Sequence, residues 1–427
     1  MNTKYNVLVL GSGGREHALS WKIAKSNLLK NLHIAPGNAG TAHLGIQANL
    51  SVNDFEGIAK YCEKEGINII VVGPEDPLVN GISDYFAEQM PNVFVFGPNK
   101  NAAQLEGSKD FSKQFMQRNG IPTAAHKTFN SNEIKEAQQF LETLKPPYVL
   151  KADGLAAGKG VLILNDIEEA KLEVLNMLQG KFGAASQTLV IEEFLDGLEL
   201  SYFALTDGKN YLLLSEAKDY KRIGEGDTGL NTGGMGAISP VPFANNVFNQ
   251  KVIDQIVEPT INGFKKEDLN YVGFIFFGLI NVDGEPKVIE YNCRMGDPET
   301  EVVIPRLQSD LLEAIVLSKD KLLNEYEAEF SSTACTTVIA VSEGYPGSYS
   351  KGIDFKIAKP APANGVYFYA GVKVEGHNEV TSGGRVVACT AWAENAQDAL
   401  FWSYKMIDQV SFSGKHYRKD IGKDILK

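Results

Sequence analysis

Residues 148–161 read YVLKADGLAAGKGV, and the reading of this stretch separates the candidate folds. Its core, Gly154 to Gly160, carries the lysine and glycines of a phosphate loop. Asp153, however, stands where a Walker A loop has its first glycine, and Gly160 follows Lys159 in place of Ser or Thr. Both flanks, Tyr148–Ala152 and Val161–Leu164, are short apolar runs that read as strands. The segment is therefore expected to be a glycine-rich hairpin and not a strand-to-helix loop. Such a hairpin can lay its amides over polyphosphate oxygens and close as a lid. A mobile surface hairpin has the same composition. Lys151, on the incoming strand, can reach a phosphate as a point charge.

Upstream, short apolar strands alternate with helical stretches. Strands are expected at Tyr5–Leu10, Leu32–Ala35, Ile67–Val72 and Val93–Phe96, with helices near His17–Lys25 and Asp54–Glu65. This spacing implies an open parallel sheet, in which ligands sit beyond the carboxyl ends of the strands. Gly11–Arg15, Pro36–Thr41 and Gly73–Pro77 all fall there. The turn Gly11-Ser12-Gly13-Gly14-Arg15 invites a dinucleotide reading, but Glu16 replaces the third glycine and no acidic residue ends the second strand. A helix N-terminus at this point suits a phosphate or carboxylate, and a ligand-free tight turn would read the same way. From Asn99 to about Thr123 the pattern is helical and stops at Gly120 and Pro122.

Downstream, Leu189–Glu193 reads as a strand and Gly224–Gly236 as too irregular for strand or helix. Phe274–Val282 and Lys287–Asn292 read as strands joined through the turn Asp283-Gly284. Alternation puts Glu290 and Asn292 on one face, and two hard oxygen donors suit Mg²⁺; an exposed polar strand end is the alternative. Arg294 continues the alternation and could clamp a carboxylate or a phosphoryl group. Strands at Thr336–Val341, Gly365–Val374 and Gly384–Ala391 and a helix at Ala396–Ile407 complete the chain.

Composition bounds the rest. With 41 basic and 53 acidic residues the net charge is −12, which argues against wrapping nucleic acid. The longest apolar run, Tyr271–Ile280, is short of a membrane span, and the N-terminus lacks a secretory h-region. Cys62, Cys293, Cys335 and Cys389 are far apart, as expected for reduced thiols in a cytoplasmic protein. Neither a G-x-S-x-G nucleophile nor an H-x-x-x-H pair is present, and Cys293 is expected to face away from its neighbours Asn292 and Arg294.

Nine blocks then occur in order along the chain: GSGGREHALSWK, APGNAGT, VVGPEDPLVNGI, AAQLEGSKDF, YVLKADGLAAGKGV, VIEEFLDGLELS, NTGGMGA, VIEYNCRMGDPETE and SGGRVV. The chain thereby resembles the phosphoribosylamine–glycine ligases (glycinamide ribonucleotide synthetases) of the ATP-grasp superfamily. The resemblance implies a multi-domain α/β protein. Residues 1–105 would form an N-terminal substrate-binding domain with an open parallel sheet (pre-ATP-grasp), and 106–330 an α+β ATP-grasp domain with a small lid at about 124–190. A β-rich α+β domain would follow at 331–427.

It also implies ATP-dependent ligation of glycine to 5-phosphoribosylamine through glycyl phosphate, in purine biosynthesis, by a protein that is a monomer with no nucleic-acid or membrane partner. For ATP it implies Lys109, Lys151, the loop Gly154, Gly158, Lys159 and Gly160, the linker Glu192, Glu193, Phe194 and Leu195, and Glu199. Glu290 and Asn292 would hold Mg²⁺ or Mn²⁺, with Gly278 where many relatives of the superfamily carry another metal carboxylate. Arg294, Lys151, Asn231 and Gly234 are expected at the reacting acyl phosphate. The sugar phosphate and amine are expected among Gly13, Gly14, Arg15, Gly37, Asn38, Gly40, Thr41, Glu75, Asp219, Asp297 and Arg385. Two departures stand out: Tyr220 where the family has histidine, and Met295 where it has phenylalanine. Competing readings are an ATP-grasp ligase for a different acid or amine, a nicotinamide oxidoreductase, and an inactive nucleotide sensor.

Overall fold

The structure, a computed structural model, describes residues 3–154, 160–183 and 188–426. The N-terminal sheet is all parallel, in the order Ile46–Gln47, Leu29–Pro36, Tyr5–Gly11, Ile69–Val72, Phe94–Phe96. Tyr5–Gly11 lies centrally because Val7, Leu8, Val9 and Leu10 are buried on both faces, as a strand covered on each side requires. The chain steps from this strand first to one side and then to the other. That makes a switch point where Gly11–Gly14, Pro36–Thr41 and Gly73–Glu75 converge.

Two antiparallel sheets follow. The smaller runs His126–Asn130, Thr188–Glu193, Tyr148–Ala152, Val161–Leu164, so the glycine-rich segment does join two paired strands. Helices Ile134–Leu141 and Ile167–Leu178 cover it, and Phe129, Leu150, Val174 and Leu189 form a core of its own. The larger sheet runs Tyr211–Leu213, Leu198–Thr206, Gly273–Val282, Glu285–Asn292. Its last strand carries a bulge: Gly278 pairs with Glu290 but Leu279 pairs with Val288, leaving Ile289 as the extra residue. Core positions accordingly change phase, from Pro286 and Val288 to Tyr291 and Cys293.

The C-terminal sheet has the order Lys218–Asp219, Gly236–Ser239, Ala334–Val341, Arg385–Ala393, Gly365–Tyr369, packed against helix Ala396–Ile407. Its first two strands come from the middle of the chain.

Three local expectations are corrected. The 99–123 helical stretch is two helices, Gln104–Gly107 and Lys109–Arg118. Ser108 between them is extended and caps the second, its Oγ accepting the Phe111 amide at 3.1 Å. Gly224–Gly236 contains the strand Thr228–Asn231, paired with Arg222–Gly224. The run Gly365–Val374 is two strands, Gly365–Tyr369 and Val372–Glu375. They part where Gly371 crosses Gly383 so closely that an added Cβ would lie 2.6 Å from the Gly383 backbone.

Candidate active site

The site is assembled from the end of Glu285–Asn292 outward. Because the bulge precedes Glu290, Glu290 and Asn292 leave the core face together while Cys293 turns inward, 1% exposed. Gly278 is directly opposite Glu290, as expected. An added Cβ there would sit 3.1 Å from Glu290 Cγ, so the glycine leaves room for that carboxylate. Glu199, Ser201, Asp219 and Lys221 line the same small cavity as Glu290.

Beside it lies a lysine-rich wall. Lys109 opens helix Lys109–Arg118, and its Nζ is 3.3 Å from the Gly154 carbonyl. Asp153 ties the hairpin base to that helix by accepting from the Asp110 amide at 2.7 Å and the Ser108 hydroxyl at 3.1 Å. Lys151 Nζ lies 2.9 Å from Glu192 Oε2 and 3.4 Å from the Ile289 carbonyl. Sequence reasoning missed Lys113, which meets the same Glu192 oxygen at 3.0 Å and donates to Thr123 Oγ1 at 2.7 Å. Burial pushes Lys113 down to about 8, against the pull of Glu192. For Glu192, burial works upward, but Lys151 and Lys113 outweigh it and hold the carboxyl below its usual range. Its Oε1 is buried with no hydrogen-bond partner among the described residues.

Of the expected linker residues, Glu193 accepts the Ala125 amide at 2.9 Å, Phe194 is exposed and Leu195 half-buried. Glu199 pairs with Lys221 at 2.8 Å, which lowers its pKa. Gly154 and Gly160 bracket the hairpin, the Gly160 carbonyl accepting from Ala152 at 2.8 Å. Gly158 and Lys159 lie outside the described residues.

Arg294 faces the N-terminal loops. It contacts Glu75 at 3.1 Å and Glu106 at 2.8 Å, and burial of Glu106 raises that carboxyl's pKa. Burial also works to raise Glu75, but Arg294 and Arg15 hold it below the usual range. Arg15 and Arg294 share one acceptor, the Met295 carbonyl, at 3.2 and 3.3 Å. Arg15 is further bound to Glu16 at 2.6 Å, whose second oxygen accepts the Gly13 amide at 2.6 Å. The Glu16 side chain fills the space beside Gly11 and Gly73, where an added Cβ would overlap it. A carboxylate of the chain itself thus occupies the turn that a dinucleotide would need. Met295 is buried in the core, in keeping with an apolar exchange for phenylalanine.

The remaining expected residues divide by what holds them. Gly37, with φ 71°, turns the chain so that the Asn38 amide donates to Thr41 Oγ1 at 2.8 Å. The Asn38 side chain donates to Ser12 O at 2.8 Å and Tyr369 O at 2.7 Å, and Gly40 packs under His17. This loop is a tie between the N- and C-terminal sheets. Arg385 pairs with Asp297 at 3.0 Å and also donates to the Gly233 carbonyl. Gly234, at φ 114°, packs against Pro298, and Asn231 is exposed nearby. Asp219 is raised by burial, with Glu199 adding to that and Lys221 opposing it. The Tyr220 hydroxyl bonds Asp424 at 2.6 Å and the Gly422 amide at 3.0 Å, so it is committed to the C-terminal segment and takes no part in the site.

Glu106, Glu299 and Glu301 were also missed, although each lies within a quoted block. Glu299, raised to about 7 by burial and by Asp219, takes the Ser201 hydroxyl at 3.2 Å. The result is a cleft with lysines at one end, arginines at the other, and two hard oxygen donors between them. Among the described residues, no three His, Cys, Asp or Glu are grouped to hold a metal, and none of the helices is long and apolar enough to cross a membrane.

A small antiparallel sheet that brings Lys151 against a larger one bearing paired oxygen donors, with Lys109 and Lys113 added from a neighbouring helix, defines an ATP-grasp ligase. A biotin carboxylase domain of the Hydrogenobacter thermophilus 2-oxoglutarate carboxylase shares the fold, with TM-score 0.73 at 16% identity over 97% of this chain and 92% of that one. The chain belongs to the phosphoribosylglycinamide synthetase family. It matches that family's N domain at residues 5–106, its ATP-grasp (A) domain at 107–300 and its C domain at 335–424. It is 44% identical to the phosphoribosylamine–glycine ligase of Haemophilus influenzae, over 98% of this chain and 97% of that protein. The crystal structure of phosphoribosylamine–glycine ligase from Thermotoga maritima superposes with TM-score 0.83 at 36% identity, over 97% and 99% of the two chains.

Proposed function

We propose that this chain joins glycine to 5-phosphoribosylamine with ATP, giving glycinamide ribonucleotide, ADP and phosphate. The observation that carries the reading is the position of Arg294. It lies two residues beyond the strand that carries Glu290 and Asn292 and reaches Glu75 and Glu106 on the N-terminal side, so the reacting carboxylate lies between nucleotide and sugar phosphate.

ATP lies with its phosphates at Lys109 and Lys151 and its base near Glu192–Leu195, Glu199 taking the ribose. The hairpin Gly154–Gly160 covers the phosphates. Glu290 and Asn292 fit a divalent cation, Mg²⁺ or Mn²⁺: both are hard oxygen donors on one strand face, and Gly278 opposite adds no second carboxylate. When bound, that ion neutralises phosphate charge. A glycine carboxylate oxygen attacks the γ-phosphorus, the bond to the bridging oxygen breaks, and ADP leaves. The phosphoribosylamine nitrogen then attacks the glycyl carbonyl, loses a proton, and phosphate departs with its electron pair. Arg294 and the Asn231–Gly234 loop hold the acyl phosphate. Arg15, the 37–41 loop and Arg385 hold the sugar phosphate, with Glu75, Asp219 and Asp297 near the amines. Positioning and charge neutralisation supply the rate, so no covalent enzyme nucleophile is required.

ADP release, measured with Mg-ATP, glycine and freshly generated phosphoribosylamine, tests the reading. Release must depend on all three. Equal turnover with alanine would instead indicate a ligase for other acids. Glu290→Ala is expected to lower kcat by about 100-fold or more, the scale of losing one charge-stabilising group. Full activity in that variant removes Glu290 from the metal site.

A further inference from the structure

Tyr345 lies outside every block quoted above, yet its hydroxyl reaches the loop assigned to the acyl phosphate. It sits half-buried in the turn after strand Ala334–Val341, its amide donating to the Ser342 carbonyl at 3.1 Å. Ser342 is tied to the segment before Arg385: its amide donates to the Gly384 carbonyl at 2.8 Å and its Oγ to the Gly383 carbonyl at 3.0 Å. The Tyr345 ring lies against Gly384, where an added Cβ would overlap it. From there the hydroxyl accepts the Gly233 amide at 2.8 Å, while the Gly233 carbonyl accepts from Arg385 Nη1. The C-terminal unit therefore grips Gly233 by both of its backbone polar groups. The guanidinium lies over the Gly233 Cα: a Cβ there would be 2.8 Å from Cζ and 3.1 Å from both Nη1 and Nη2. Nη1 also meets the Asp297 carbonyl at 2.8 Å and Asp297 Oδ1 at 3.0 Å. Nε and Nη2 have no hydrogen-bond partner among the described residues. One nitrogen anchors the guanidinium, and the other two keep their donors for an anion.

We propose that Tyr345 is a positioning residue for the sugar phosphate: its hydroxyl fixes the Gly233 backbone as a seat for Arg385, whose two uncommitted nitrogens then bind the phosphate. The inference rests on the placement of Arg385 at the sugar phosphate proposed above and assigns Tyr345 no contact with substrate. Gly233 is exposed and followed by a second glycine, so its backbone has little of its own to hold it. Without the hydroxyl the carbonyl is free to turn away from Nη1, and Asp297 alone holds the guanidinium. Arginine then recovers rotamer freedom, which binding of the phosphate must remove again.

A double-mutant cycle tests this, read by calorimetric titration of the full chain with ribose 5-phosphate, which keeps the sugar and phosphate of the unstable amine. Tyr345→Phe removes one oxygen and leaves the ring on Gly384. Loss of one neutral hydrogen bond predicts that Y345F raises Kd for ribose 5-phosphate about fivefold. Kd for ATP should stay within about twofold. R385A should raise the ribose 5-phosphate Kd about tenfold or more, and adding Y345F to R385A should change it by less than about twofold, because the seat then has no occupant. A fivefold effect of Y345F that persists in R385A overturns the proposal, since Tyr345 would act without Arg385. So does Y345F binding as wild type does, a merely structural tyrosine that weakens ATP equally, or wild type that does not bind ribose 5-phosphate. If Y345F does not fold, judged by its thermal melt, Gly233→Ala decides: its Cβ displaces the guanidinium, so a Kd near that of R385A supports the seat and an unchanged Kd refutes it. Wild type that binds ribose 5-phosphate but shows no phosphoribosylamine-dependent ADP release would overturn the ligase reading and leave this inference standing.

Discussion

Glu192 shows how one residue can organise a nucleotide end. One of its oxygens receives both Lys113 and Lys151, and burial makes that arrangement all-or-none. Lys113→Met leaves a buried carboxylate with a single cation. It is expected to destabilise the fold by about 3 kcal/mol in urea unfolding and to raise KM for ATP. Unchanged stability would mean that Lys151 alone satisfies the charge. The lysines expected from the blocks, Lys109 and Lys151, do stand together at the hairpin, whereas Lys113 was illegible. A lysine on an amphipathic helix ordinarily reads as solvent-facing, and only the packing of Lys109–Arg118 against Glu285–Asn292, with the ion pair to Glu192, shows that it turns inward. Asn38 carries a role that its polarity did not announce: its side-chain donors tie the loop to the Ser12 and Tyr369 carbonyls.

At the scale of elements, the two strands that carry the candidate metal pair depend on their turn. Asp283 and Gly284 have φ of 52° and 86°, the left-handed pair that a two-residue hairpin loop demands. A Cβ on Gly284 would meet nothing within 4 Å, so Gly284→Ala carries only the conformational cost. It should lower stability by about 1 kcal/mol while leaving KM for ATP unchanged. A larger loss, or a change in ATP binding, would show that the turn also sets the register at the Ile289 bulge. This hairpin was legible because Asp-Gly between apolar runs is a strong local signal. Helix Ala396–Ile407 was legible in the sequence, and the structure adds its cap, Asn395, whose side chain accepts the Asp398 amide. The Thr228–Asn231 strand was not. It is exposed, pairs only with Arg222–Gly224, and so shows no alternation between core and solvent.

Across the whole molecule the acidic balance extends into the site: Arg15, Lys151 and Arg294 each stand beside a carboxylate of the chain, Glu16, Glu192 and the pair Glu75 and Glu106. The order of the three units could be read along the chain. The sheet that recruits Lys218–Asp219 and Gly236–Ser239 into the C-terminal unit could not, because pairing across some hundred residues leaves no local trace. Contacts between units then become the testable feature. Arg385→Ala removes the link from the C-terminal sheet to Asp297 and Gly233, and should raise KM for phosphoribosylamine about tenfold with little change for ATP. His17 makes a second such link. Its ring packs edge-on against Phe368 at 5.6 Å between centroids, and its Nδ1 accepts the Tyr369 amide at 2.8 Å. Only the neutral ring can accept that bond, and burial lowers the pKa from 6.5 to about 4. The unfolded chain therefore takes up this proton at a higher pH than the folded one. The stability associated with neutral His17 is present in full above pH 6.5, falls as pH drops toward 4, and is gone below that. The size of the loss follows from the shift and is about 3 kcal/mol. His17→Asn cannot titrate, so the stability difference between wild type and variant should shrink by that order between pH 7 and pH 4 in parallel urea titrations. A difference that does not vary with pH would mean that His17 titrates alike in the folded and unfolded chain, and that the junction between the N- and C-terminal sheets is open enough to hydrate it.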